Sequence, residues 1–346
     1  MRRARRYTPQ RWAFRFFQGE GAAGDTMGAM VKRILLASPR GYCAGVERAV
    51  DTVEQALDLW GPPVYVRKQI VHNIHVVRDL EERGAIFVET ETEVPPGATV
   101  VFSAHGVAPS VHENARRLEL KTIDATCPLV TKVHSEARHY AKAGYTIVLV
   151  GHAGHEEVEG TMGEAPDSIV LVESQEEAET VELPDGPLAY ITQTTLSVDE
   201  TNGVIDVLRR RFPRIEAPKK EDICYATTNR QRAVKAMLGS IDLLLVIGSR
   251  NSSNSNRLVE VARAAGVMSY LVDDETEIEE AWLDEVETVG VTSGASAPER
   301  LVERVLDWFA ARGVTDVSPF AEEREDIFFK LPAQVRPEAA AGTPSG

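Results

Sequence analysis

The chain has 346 residues, 43% of them hydrophobic and 26% charged, with a formal net charge of −15. That length suits two or three globular units, since single cores rarely grow past about 250–300 residues. The acidic balance, with no strongly basic face, argues against nucleic acid as the main partner. No apolar run reaches the roughly 18 residues of a membrane span.

The chain opens on "MRRARRYTPQRWAFRFFQ", six arginines and no acid. It lacks the continuous apolar core of a signal peptide. Residues 1–30 therefore read as a disordered or mis-started extension, with Met27 or Met30 as the functional beginning. The apolar run "RILLAS" follows and ends in Pro39-Arg40-Gly41-Tyr42 before Cys43. After it Val46, Val50, Val53 and Leu57 recur at helical spacing. Cys127 in "DATCPLVTKVH" and Cys224 in "DICYATTNRQ" also stand just before a helical pattern. At a helix N-terminus the free N–H groups and the dipole favour an anionic thiolate.

The three cysteines are 84 and 97 residues apart with no CxxC, which excludes a local zinc knuckle. With no export signal visible, a reducing cytoplasm fits better than disulfides. Any shared site has to be assembled from distant parts of the chain.

Counting forward from each cysteine reveals a repeat of function rather than of letters. His72, His155 and Ser252 follow Cys43, Cys127 and Cys224 by 29, 28 and 28 residues, each in a polar loop. His105, Thr194 and Ser296 follow the same cysteines by 62, 67 and 72 residues, again in polar loops after apolar runs. Strands alternating with helices imply an α/β fold with mostly parallel sheets. Ligands in such sheets bind at the loops beyond the strand C-termini. The expected organisation is three similar α/β domains over 31–126, 127–222 and 223–312, converging on one site. Residues 313–332 are expected to pack back on the core and 333–346 to form a disordered tail.

Three thiolates from separate units can hold a zinc with a fourth ligand, or an iron–sulfur cluster. They can also be three unrelated buried cysteines. "NSSNSNR", "SGASAPER" and "TQTTLSVDE" place hydroxyls and N–H groups at helix starts, which suits phosphate. His72, His105 and His155 add donors for an oxyanion. Of the other histidines, His112, His134 and His139 read as solvated helix faces, and His75 and His152 as supports of the site. "HAGHEEVEG" brings Glu156, Glu157 and Glu159 into one loop. One of them suits proton donation, and the other two read as exposed helix starters.

Eight segments in order resemble one known family: "PRGYCAGVERA", "VVFSAHGV", "DATCPLVTKVH", "GHAGHEEVEGTMGE", "TQTTLS", "DICYATTNRQ", "GSRNSSNSNRL" and "GVTSGASAPE". It is the 4-hydroxy-3-methylbut-2-enyl diphosphate reductases of the non-mevalonate isoprenoid pathway, and the resemblance runs from about Val31 to about Pro332. It implies a pseudo-threefold trefoil of α/β domains around one [4Fe–4S] cluster, held by Cys43, Cys127 and Cys224 with one iron left open for the substrate hydroxyl. It implies that His72, His105, His155, Ser252, Ser253, Asn254 and Ser296 hold the diphosphate, with Thr227 and Asn229 close by. Glu157 matches the family's catalytic acid and Thr194 its partner near the substrate hydroxyl. An external electron donor such as ferredoxin or flavodoxin is implied as well. A non-catalytic iron–sulfur sensor and a phosphate-binding protein with zinc on the three cysteines are the competing readings.

Overall fold

The computed structural model describes residues 31–321 and 325–336. The expectations for residues 1–30, and for the tail from 337 onward, lie outside the described residues. Twelve strands and ten α-helices alternate along the described chain, and the strands form three separate all-parallel sheets.

The first sheet has the order β3-β2-β4-β5, from β2 (Val64–Arg67), β3 (Ala85–Val88), β4 (Thr99–Phe102) and β5 (Lys121–Asp124). The second is β7-β6-β8, from β6 (Thr146–Val150), β7 (Ile169–Val172) and β8 (Leu188–Thr192). The third is β10-β9-β11-β1-β12, from β1 (Arg33–Ser38), β9 (Leu243–Ile247), β10 (Met268–Val272), β11 (Thr288–Ser293) and β12 (Asp316–Ala321). Each sheet is covered on both faces by helices, so each carries two apolar clusters. This is why β9 reads as an unbroken apolar run, buried at every position.

One boundary differs from the sequence expectation. Chain order puts β1 with residues 31–126, yet it lies in the third sheet, between β11 and β12. Its two faces explain this. Ile34 and Leu36 enter one cluster of that sheet, and Leu35 and Ala37 enter the other. A strand apolar on both faces needs a central position, and the third sheet supplies one by pairing β12 on its far edge. The C-terminal segment thus completes a sheet, and order continues past 332. Val335, expected in a disordered tail, is buried against α1 (Ala44–Trp60).

The helices begin where the strands deliver the chain. α1 starts at Cys43, α4 (Pro128–Lys142) at Cys127 and α8 (Tyr225–Met237) at Cys224, each cysteine being the N-cap residue. The apolar stripe of α1 buries Ala49, Val50, Val53, Ala56 and Leu57, and the helix stops at Gly61, whose φ of 72° suits a residue without Cβ. The remaining helices are α2 (Ile74–Glu82), α3 (Pro109–Arg117), α5 (Glu156–Met162), α6 (Gln175–Thr180), α7 (Val198–Arg211), α9 (Ser253–Ala264) and α10 (Glu299–Ala310). Among the described residues no helix is long and apolar enough to cross a membrane.

Candidate active site

The loops that follow the strand C-termini meet at one place. His72 follows β2, His105 follows β4, His155 follows β6 and Thr194 follows β8, while Ser252 and Ser296 follow β9 and β11. With one exception, every candidate picked out from the sequence lines a single cavity there, together with Phe329 from the C-terminal segment.

The backbone repeats one contact three times. The amide of Cys43 donates to Ala295 O at 3.2 Å, that of Cys127 to Ala104 O at 3.0 Å and that of Cys224 to Thr194 O at 3.0 Å. Each cysteine is thereby hung on the second polar loop of a unit, beside Ser296, beside His105 and on Thr194 itself. Burial, then the charge of Cys43, pushes the Cys127 thiol up to about 12 and the Cys224 thiol up to about 11. At Cys127 and Cys224 the helix N-terminus alone therefore does not yield the thiolate expected from the sequence; a cation among the sulfurs would reverse that balance. Gly45 makes the approach possible: a Cβ there would lie 2.7 Å from Cys127 Sγ and 3.8 Å from Cys43 Sγ.

Among the described residues, the trio whose donor atoms lie within 4.8 Å of one another is His72, His105 and Glu156, not the three cysteines. Sulfurs on one tetrahedral zinc, each at about 2.3 Å from the metal, stand roughly 3.8 Å apart. Free, inward-facing thiols spread more widely than that fit a polynuclear centre better than a single ion.

Glu157 is buried in the first turn of α5, 2% exposed. Its carboxyl accepts the Thr194 amide at 2.6 Å and meets Thr194 Oγ1 at 3.0 Å. Burial raises its pKa to about 7 even though both Thr194 bonds pull the other way. A carboxyl poised there is suited to donate a proton near neutrality. The three histidines are held neutral by burial, His72 down to about 2 and His105 and His155 to about 4.

The polar loops are tied across units. Ser296 donates to His72 O at 2.9 Å, and Ser253 to Thr195 O at 2.9 Å. Asn254 uses both arms, accepting Ala295 N at 2.9 Å and reaching Thr227 Oγ1 at 3.3 Å. Ser252 caps α9 by accepting the Ser255 amide. Thr227 also lies 3.2 Å from the Cys224 sulfur.

Three sequence expectations change. Asn229 is the exception to the cavity lining: its side-chain amide donates to Glu325 at 3.3 Å, the carboxylate that Arg230 also reaches. His134 is not on a solvated face. It is 5% exposed, bonds Glu164 at 2.8 Å through Nδ1, and packs against Gly106 and Gly160, where any side chain would crowd it. Glu159 is an exposed helix starter as expected, reaching Lys68, but Glu156 is half-buried and bonds His105.

Sequence reasoning missed the tether formed by Arg230 and Glu325. Arg230 is fully buried, and its guanidinium reaches Glu325, Ala226 O and, at 2.8 Å, Gly41 O just before Cys43. It lies inside the segment "DICYATTNRQ", but a charged residue in a helical pattern carries no mark of burial.

The LytB protein family matches residues 34–310. A protein of Acidothermus cellulolyticus named 4-hydroxy-3-methylbut-2-enyl diphosphate reductase is 64% identical over 90% of this chain and 92% of its own length. The chain belongs to the LytB family of 4-hydroxy-3-methylbut-2-enyl diphosphate reductases. A LytB relative of that name from Streptomyces coelicolor is 58% identical over 90% of this chain and 94% of its own. Among solved structures, the Plasmodium falciparum E-1-hydroxy-2-methyl-but-2-enyl-4-diphosphate reductase superposes with a TM-score of 0.86 at 39% identity, covering 88% of this chain and 97% of that one. Three α/β units around one cavity are thus the LytB architecture.

Proposed function

We propose that this chain reduces 4-hydroxy-3-methylbut-2-enyl diphosphate with two electrons and two protons: one proton leaves with the hydroxyl as water, and the second adds at one end or the other of the allylic carbons, giving isopentenyl or dimethylallyl diphosphate. The family membership supports the reaction class, and one observation carries the assignment of the site: three cysteine N-caps, a buried carboxyl with its threonine, and three histidines open onto one cavity.

Cys43, Cys127 and Cys224 would hold one [4Fe–4S] cluster, one iron being left without a protein ligand. When bound, such a cluster supplies electrons one at a time and a Lewis-acidic iron. The chain's own residues do the rest. Glu157, its pKa raised to about 7 by burial and its carboxyl held by Thr194, gives the proton with which the substrate hydroxyl leaves as water. The Thr194 hydroxyl orients both the acid and the substrate oxygen. His72, His105 and His155, with the hydroxyls of Ser252, Ser253 and Ser296 and the amide of Asn254, bind the diphosphate and fix the allylic end relative to Glu157. Phe329 and Val130 close the cavity wall and exclude water. The electrons come from a small external donor of the ferredoxin or flavodoxin kind, and the protein works in the cytoplasm.

The test is anaerobic purification with iron and sulfide analysis, followed by turnover with a chemical reductant. About four irons and four sulfides per chain, with consumption of the substrate, is the expected result. One zinc per chain, or a brown protein inert to the substrate, overturns the proposal. Cys43→Ser is expected to lose the intact cluster; full iron content in that variant removes Cys43 from the ligand set.

A further inference from the structure

The three cavity histidines form one ring cluster. His72 and His105 stack with centroids 4.0 Å apart, and His155 stands edge-on to them at 5.4 and 5.9 Å. Their Nδ1 atoms meet different partners on the protein side, and those partners fix where each ring keeps its proton.

His155 Nδ1 accepts the Glu157 amide at 3.1 Å, so its neutral ring carries the proton on Nε2. His72 Nδ1 faces the Asn251 amide nitrogen at 3.3 Å, itself oriented by Gln69 at 2.8 Å, with the same consequence. His105 differs. Its Nδ1 lies 3.1 Å from a carboxylate oxygen of Glu156, with Ser103 Oγ at 3.3 Å. A carboxylate offers only lone pairs, so Nδ1 must carry the proton, and Nε2 of the neutral ring is an acceptor. A diphosphate also offers lone pairs. His72 and His155 can meet it as neutral donors, whereas His105 can donate to it only as an imidazolium.

We propose that Glu156 is a positioning residue that makes His105 the protonated member of the pocket, so that the diphosphate enters together with one proton from solvent. This rests on the reading of the pocket as a diphosphate site. Neighbouring carboxyls in one helical turn then have separate tasks: Glu157 turns to Thr194 and Glu156 to His105. The groups facing His105 are few. Lys68, from the turn after β2, opposes its protonation, as do His72 and His155 when charged. Glu159 holds the Lys68 ammonium at 3.1 Å, and Glu156 is the carboxylate in contact with the ring. Without a ligand, burial keeps the ring neutral; an anion on its far side joins Glu156 in favouring the charged form.

The experiment uses the anaerobically purified holoenzyme with inorganic diphosphate as the probe. Calorimetric titration at pH 8 in two buffers of different ionisation heat reads the protons taken up on binding. Glu156→Gln keeps an acceptor for Nδ1 and removes the charge. It is expected to take up about one proton fewer than the unaltered protein and to bind about tenfold more weakly, the low end for removing an opposite charge at this range. Glu159→Gln, which leaves the ring contact intact and only frees Lys68 to oppose the charged ring, is expected to lower the proton uptake less than Glu156→Gln does. In turnover, Glu156→Gln is expected to raise KM about tenfold with kcat within about twofold. Equal proton uptake by Glu156→Gln and the unaltered protein overturns the proposal, and so does a fall in kcat at constant KM. Diphosphate binding is read independently of reduction, so loss of the reductase reading leaves this test standing.

Discussion

Gly45→Ala tests the geometry of the cysteine cluster most directly. The added methyl would sit 2.7 Å from Cys127 Sγ and 3.4 Å from Cys127 Cβ. Ordinary contacts lie near 3.5–4.0 Å, so the sulfur or the start of α1 has to retreat by about 1 Å. Cys127 has little freedom to do so, since its amide is bonded to Ala104 O and its carbonyl accepts the Thr131 amide. Overpacking of this kind costs about 1–3 kcal/mol, and the gain in helix propensity from Gly to Ala returns up to about 1 kcal/mol. The fold should survive with a loss of about 0–2 kcal/mol, read by urea unfolding of the metal-free chain. The sulfur positions should not survive, because metal sites tolerate only about 0.5 Å of displacement. The expected outcome is a folded protein with severalfold less iron per chain and turnover reduced at least about tenfold. Gly239→Ala, where a Cβ meets nothing within 4 Å, is the matched control. Unchanged iron content and turnover in Gly45→Ala would refute the reasoning.

Further outcomes follow from the same contacts. Glu157→Gln should lower kcat by about 10²–10⁴ while iron content and inorganic diphosphate binding stay normal; near-normal kcat removes the acid role. The raised pKa of Glu157 puts its neutral acid in the majority below about 7 and the carboxylate above it. Infrared difference spectra of the metal-free protein should therefore lose a buried carboxylic C=O band as pH rises through about 7. Part of that change is absent in Glu157→Gln; Asp222, which burial also raises to about 7, and Asp51, raised to about 6, contribute to the remainder. Gly294→Ala would bring a methyl against the buried Ser255 Oγ and should cost about 1–3 kcal/mol or more by urea unfolding. Arg230→Ala leaves Gly41 O without its guanidinium donor and Glu325 with only the Asn229 amide, and should cost about 3 kcal/mol; a loss under about 1 kcal/mol contradicts the tether.

The loops are legible because parallel α/β units write their sites in a fixed place. An apolar run followed by a polar loop and a helix pattern marks a strand C-terminus, and His72, His105, His155, Thr194, Ser252 and Ser296 all stand there. Cysteines before helical patterns are helix starts for the same reason. Burial of single polar residues is not legible. His134 looks solvated because helical periodicity marks a face without saying what covers it; here Gly106 and Gly160 bring two other segments onto the ring.

The sequence by itself determined the alternation of strands and helices, the threefold recurrence of cysteine and polar loops, and the motifs shared with the LytB family. These are local or periodic properties, written within one unit at a time. Tertiary structure alone decided that β1 leaves the first unit for the third sheet, that Glu325 reaches back to Arg230, and that Glu156 faces His105 while Glu157 faces Thr194. Each of these depends on partners 37 to 283 residues apart in the chain. Nothing in the spacing along one segment records which distant carbonyl, ring or strand edge will meet it; packing of three cores around a common centre does.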